Sequence, residues 1–193
     1  MPNLILKVPH YWQDGPNCWW YVHKMIHDYH LDKNDWLTAF SAAPPGALPF
    51  AEIERVLGGL GYTRLTPPEF NKRTTTANVM DLLRNHGPLF IPCYETFSFK
   101  AGHALVLSSV VENKDGKFET KAEPWGPGEL VVLLDPAAKT GALGSEVIWP
   151  LDYLKLLLGV VGRIEHDTQT PFYYSQSDRR KYIAEGPLLG GNK

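Results

Sequence analysis

The alternation of apolar and polar positions divides the chain into a helical first part and an extended second part. From Cys18, apolar side chains recur at Val22, Met25, Ile26 and Tyr29, a spacing that predicts a helix buried along one side. Asn17 stands where its N-cap belongs, after the turn-forming Asp14, Gly15 and Pro16. The spacing of Phe50, Ile53, Val56, Leu57 and Leu60 predicts a second helix over residues 50–60, reached through the proline-rich loop 42–49. Gly58, Gly59 and Gly61 read as the end of that helix, since a dinucleotide-binding glycine loop would follow a strand. A third helix is expected over residues 77–85, with Gly87 and Pro88 stopping it.

The period then changes. Residues 89–94 read as an extended segment that Pro92 assigns to an edge or a bulge. Residues 103–111 are the strongest strand in the chain and 129–134 the next, separated by a turn at 113–116 and a loop at 123–128, while residues 4–9 form a short leading strand. Helices first and strands afterwards predict an α+β fold with a mainly antiparallel sheet. At 193 residues, one compact domain over residues 1–166 is expected, with the polar stretch 167–193 as an extension of it or a tail.

Composition narrows the function classes. The chain is 44% hydrophobic, 21% charged and 12% aromatic with a net charge of -2, and its basic residues are scattered, so nucleic acid is not an expected partner. The apolar run 154–161 is interrupted by Lys155 and too short to span a bilayer. Residues 1–7 lack the features of a signal peptide, which leads to the expectation of a protein made for the cytoplasm or exported by a signal-peptide-independent route. Cys18 and Cys93 do not make a disulfide framework, and a reducing compartment is the simpler inference.

The candidate chemistry starts at Cys18. A thiol at a helix N-terminus faces free N–H groups and the positive end of the helix dipole, which favour the thiolate. Gln13, five positions upstream, carries an amide N–H that would suit a developing oxyanion. A buried structural cysteine is the alternative. His103, with Gly102 before it, opens the strongest strand, and Asp135 with Pro136 closes the next; a base held by a rigid strand and a carboxylate that orients its ring are the two further parts thiol catalysis needs. Each also has a structural alternative, a strand cap for His103 and a turn for Asp135. Cys93 lies in an apolar run with no histidine placed beside it, so it is not the expected nucleophile. His23, His27 and His30 share the polar side of the first helix. They lack the glutamate of an HExxH pair and a third ligand, so that side is expected to face solvent and no metal is expected.

Gln13 and Cys18-Trp19 at a helix start, Gly102-His103-Ala104 at a strand start and Asp135-Pro136 after a following strand together resemble the papain-like cysteine peptidases. The likeness covers residues 8–160 and is greatest to the compact bacterial branch of secreted staphylococcal proteases, effector proteases and bacteriocin-leader peptidases. Familiar papain enzymes use asparagine as the third residue, so Asp135 suits the bacterial branch. The resemblance implies a papain-like fold with the nucleophile helix packed on the sheet. It implies Cys18 as nucleophile, His103 as general base and acid, Asp135 as orienting group, and Gln13 with the Cys18 N–H as oxyanion donors. Trp12, Trp19 and Gly102 would line the substrate groove, and Tyr11 and Trp20, aromatics expected to be exposed, would serve it as well. It further implies a protein or peptide substrate, no cofactor, an effector or toxin role, and a cognate immunity or inhibitor protein as a further partner. Two alternatives stay open: a thiol amidase or acyltransferase acting on peptidoglycan or amide side chains, and an inactive papain-like binding module.

Overall fold

A computed structural model of the chain describes residues 3–13, 16–30, 46–66, 68–94, 102–113, 128–137, 146–158 and 171–175. The expected turn at Asp14 and Gly15, the loops 42–45, 114–116 and 123–127, the approach to Gly102 and most of 167–193 lie outside these residues. In chain order the elements are β1 (Leu4–Ile5), α1 (Cys18–His30), α2 (Phe50–Gly59), β2 (Tyr62–Arg64), α3 (Thr76–His86), β3 (Leu89–Tyr94), β4 (Gly102–Asn113), β5 (Gly128–Leu134), β6 (Glu146–Pro150), α4 (Leu151–Leu157) and β7 (Phe172–Tyr174).

The strands form one sheet in the order β2, β7, β3, β4, β5, β6, with β1 paired to the distal half of β4. Every pairing is antiparallel. Period-two alternation turns Phe90, Ala104 and Val106 to one face, where they meet Val22, Met25 and Ile26 of α1 and Ile53 and Leu57 of α2. Leu89, Ile91, Leu105 and Leu107 point the other way, onto Val79 and Leu83 of α3 and Leu154 and Leu157 of α4. The molecule is thus an α+β fold with a helical layer on each face of the sheet. Burying a leucine, valine or isoleucine in such a core is worth about 1.5–3 kcal/mol, so the two faces together hold α1 and α3 in place.

Local chemistry sets the boundaries. Thr75 and Asn78 form a reciprocal capping box at the start of α3. Gly87 closes it at φ +75°, and a Cβ there would meet the His30 ring at 2.8 Å, so glycine is required twice over. Beyond α2, Gly61 takes φ +88°.

Ser108 is an extra residue in β4: the pairing steps from Leu107 opposite Leu133 to Ser109 opposite Val132. The parity of the strand changes there, so Leu105 and Leu107 share a core with Val110, which pairs with Leu4 of β1. Pro92 faces Ala104 across β3 and β4 and lies beyond Leu89 and Phe90, the two positions at which β7 pairs with β3. Its missing N–H therefore falls where the sheet has narrowed, which accounts for a proline in an otherwise internal strand.

Four elements, β2, β6, α4 and β7, have no counterpart in the sequence reading. The most consequential is β7, which draws three residues of the 167–193 stretch into the sheet between β2 and β3. Phe172 and Tyr174 are buried there and Tyr173 lies against the opposite core, an aromatic alternation inside a polar stretch.

Candidate functional site

Cys18 is the first residue of α1, held half-buried where the helix leaves its apolar stripe. The expected side-chain cap is not formed. Asn17 is buried, its carbonyl accepts the Trp20 N–H at 3.0 Å, and its Oδ1 has no hydrogen-bond partner among the described residues. The first-turn N–H groups beside the thiol are consequently not taken up by Asn17 Oδ1.

His103 stands at the start of β4 and Asp135 directly after β5. The register that sets Val106 opposite Leu134 brings these two strand ends together. His103 Nε2 lies 2.8 Å from Asp135 Oδ1, and the Cys18 sulfur is within hydrogen-bonding reach of the same ring. Burial disfavours charge on His103. Hydrogen bonding to Asp135 and Cys18, and the electrostatic influence of both groups, outweigh that penalty and push the imidazole up to about 10. Asp135 Oδ1 also accepts the Ala137 N–H at 2.8 Å, so the carboxylate makes the turn and meets the histidine with one oxygen.

The segment before Cys18 is fastened to this turn. Gln13 N–H donates to the Pro136 carbonyl at 2.9 Å, and His10 Nε2 lies 3.4 Å from the Asp135 carbonyl. Burial lowers the His10 pKa, against the raising influence of that carbonyl and of the Asp135 and Glu146 charges. The Gln13 side chain brings its Oε1 to a buried position without a hydrogen-bond partner among the described residues. Tyr11, between these anchors, donates its hydroxyl to Asp28 Oδ2 at 2.7 Å.

Asp28 is a fully buried carboxylate on α1, and it also receives Lys24 at 2.7 Å and His27 at 3.4 Å. Burial works against its charge, and the hydrogen bonds from His27, Lys24 and Tyr11 overcome this and hold its pKa below the ordinary aspartate value.

Of the expected groove residues, Trp12 is 42% exposed and packs edge-on against His10, with 4.8 Å between ring centroids. Trp19 is half-buried and donates Nε1–H to the Gly46 carbonyl at 3.2 Å. Gly102 is exposed on one side and covered on the other by Phe50, whose ring lies 3.0 Å from where a Cβ would stand. Tyr11, expected in the groove, is instead half-buried with its hydroxyl on Asp28, and the sequence reading missed His10, Asp28 and Phe50. Of these only Asp28 left a trace, its i, i+4 spacing from Lys24.

Two expectations are corrected. The histidine side of α1 does not face solvent: His23 and His30 are 4% and 3% exposed, packed under Tyr62 and Tyr174 from β2 and β7. His23 Nδ1 lies 3.1 Å from the Tyr62 hydroxyl, and burial, helped by the nearby His27, lowers its pKa to about 3. Among the described residues no three His, Cys, Asp or Glu side chains are grouped as a metal site requires. Cys93, in turn, does have a histidine beside it, because β3 pairs it with His103. It is 1% exposed in the core below the histidine, so burial sets it apart from Cys18.

No helix among the described residues is long and apolar enough to cross a membrane. The chain matches no family model, and no curated protein matches its sequence.

Proposed function

We propose that this chain is a cysteine peptidase of papain-like type that hydrolyses peptide bonds through Cys18, His103 and Asp135, with Gln13 as side-chain oxyanion donor. The observation that carries the reading is the position of His103, hydrogen-bonded through Nε2 to Asp135 with the Cys18 sulfur within reach of the same ring. Asp135 fixes the ring and favours its protonated form, so His103 holds the proton released by Cys18. The Cys18 thiolate attacks the acyl carbon of the scissile bond. The carbonyl electrons move onto oxygen, where the Gln13 carboxamide N–H and the Cys18 backbone N–H receive the negative charge. His103 then protonates the departing amine and leaves an acyl thioester. In the second half His103 takes a proton from water, hydroxide adds to the thioester carbon, and collapse breaks the C–S bond, releasing the carboxylic acid and restoring the Cys18 thiolate beside protonated His103.

The test is alkylation of Cys18 by iodoacetamide at mildly acidic pH. The reading expects fast labelling that disappears in His103→Ala; ordinary thiol reactivity in both proteins refutes it. Casein cleavage abolished in Cys18→Ala assigns peptide bonds as the substrate. Cleavage of purified peptidoglycan in place of casein assigns the same three residues to amidase chemistry. The likeness to bacterial effector proteases extends the proposal to a toxin or effector, for which growth arrest that depends on Cys18 is the expected result.

A further inference from the structure

We infer that Asp28 is a positioning residue for the oxyanion side of the site, acting through Tyr11 to hold Gln13 in register against the Asp135 turn. The catalytic consequence rests on the peptidase reading; the mechanical one does not.

Among the described residues, three hydrogen-bonding contacts tie residues 10–13 to the rest of the fold. His10 and Gln13 contact two successive carbonyls of one turn, those of Asp135 and Pro136. Two contacts to one turn define a line, and neither of them opposes a pivot of the segment about it. The Tyr11 hydroxyl supplies the third point at Asp28, on the helix that begins with Cys18. Three points on two bodies remove the pivot. Gln13 depends on this more than most residues, because its buried Oε1 has no hydrogen-bond partner among the described residues and the direction of the carboxamide follows from its backbone.

Asp28 suits the task. A phenol-to-carboxylate hydrogen bond of 2.7 Å is charge-assisted, and full burial protects it from water. Lys24 braces the same arrangement from both sides: its Nζ meets Asp28 Oδ2 and lies 4.3 Å from the centre of the Tyr11 ring. A surface ion pair at this helical spacing would contribute little. Here its consequence is to fix a ring two residues from Gln13.

The experiment compares Tyr11→Phe and Asp28→Asn with the wild type, with Thr75→Ala, which removes the α3 cap, as a control for general loss of stability. Tyr11→Phe is the gentler variant, since it leaves Asp28 its lysine and histidine partners. Hydrogen exchange at the Gln13 amide is expected to lose protection in Tyr11→Phe and to keep it in Thr75→Ala. With casein as substrate, Tyr11→Phe is expected to lower kcat about 10- to 100-fold at unchanged KM, and to cause no further loss in a Gln13→Ala background. Cys18 alkylation is expected to stay fast, because His103 and Asp135 are untouched. Unchanged Gln13 exchange in both Tyr11→Phe and Asp28→Asn overturns the inference, as do losses of Tyr11→Phe and Gln13→Ala that multiply. Slow Cys18 alkylation in the wild type sinks the peptidase reading instead, and the exchange measurement still decides whether Asp28 holds the segment.

Discussion

His103 Nε2 and Asp135 Oδ1 lie 2.8 Å apart, and the carboxylate oxygen that meets the histidine is the one that accepts the Ala137 N–H. Orientation of the ring and formation of the turn therefore cannot be varied separately. Asp135→Asn keeps an acceptor for both partners and loses only the charge, whereas Asp135→Ala loses both. Alanine is expected to reduce kcat by about 10²–10⁴-fold and asparagine by less, measured with any substrate whose cleavage depends on Cys18.

The charge state of His103 has a defined pH window. Its folded pKa, about 10, is raised above the ordinary value of 6.5 by Asp135 and Cys18 against the cost of burial. The stabilisation of its charged form is thus complete below about pH 6.5 and declines as pH rises through about 10. The imidazole resonances of His103 should titrate near the upper limit in the wild type and at lower pH in both Cys18→Ala and Asp135→Asn. A midpoint near 6.5 in the wild type would contradict the assembled site.

His23 acts in the opposite direction. Its folded pKa, about 3, lies below the ordinary value, so the folded state resists a proton that the unfolded chain accepts. Stability linked to His23 is fully present above pH 6.5 and erodes as pH falls toward 3, by at most about 1.4 kcal/mol per pH unit. Urea unfolding from pH 7 to pH 4 should show a smaller acid loss in His23→Gln than in the wild type.

Gly87→Ala places a side chain in backbone reserved for glycine and drives its Cβ into the His30 ring, 2.8 Å away. The backbone conformation alone costs about 1–3 kcal/mol. Denaturant titration is expected to show at least that loss. Gly102→Ala, with ordinary backbone and only the Phe50 ring to displace, should cost less and act instead on KM.

Elements defined by their own residues were legible in the sequence. The apolar stripe of α1, the stop at Gly87 and Pro88, and the long apolar runs of β4 and β5 carry their signals locally, and the structure follows them to within a residue or two. What distant partners decide was not legible. His23 and His30 read as solvated because the tyrosines that bury them, Tyr62 and Tyr174, belong to strands too short to announce themselves. Asn17 carries a strong capping preference, yet its side chain is drawn into the interior. The order of Cys18, His103 and Asp135 was visible as three element boundaries. Their convergence depends on the β4 and β5 register, and the Tyr11 to Asp28 bond depends on how the preceding segment doubles back along α1.

The extra residue at Ser108 divides β4 into two half-strands whose faces stay aligned in space although their numbering changes parity. The half from Gly102 to Leu107 keeps step with β3 and β5 and so aims His103; the half beyond keeps step with β1 and the distal part of β5. Deleting Ser108 would set Leu107 and Val110 two positions apart, the spacing of one face in a regular strand, so Val110 would keep its core and His103 its aim, and the loss would be confined to the bonds Ser108 makes, from its Oγ to the Val132 carbonyl and from the Leu6 N–H to its own carbonyl.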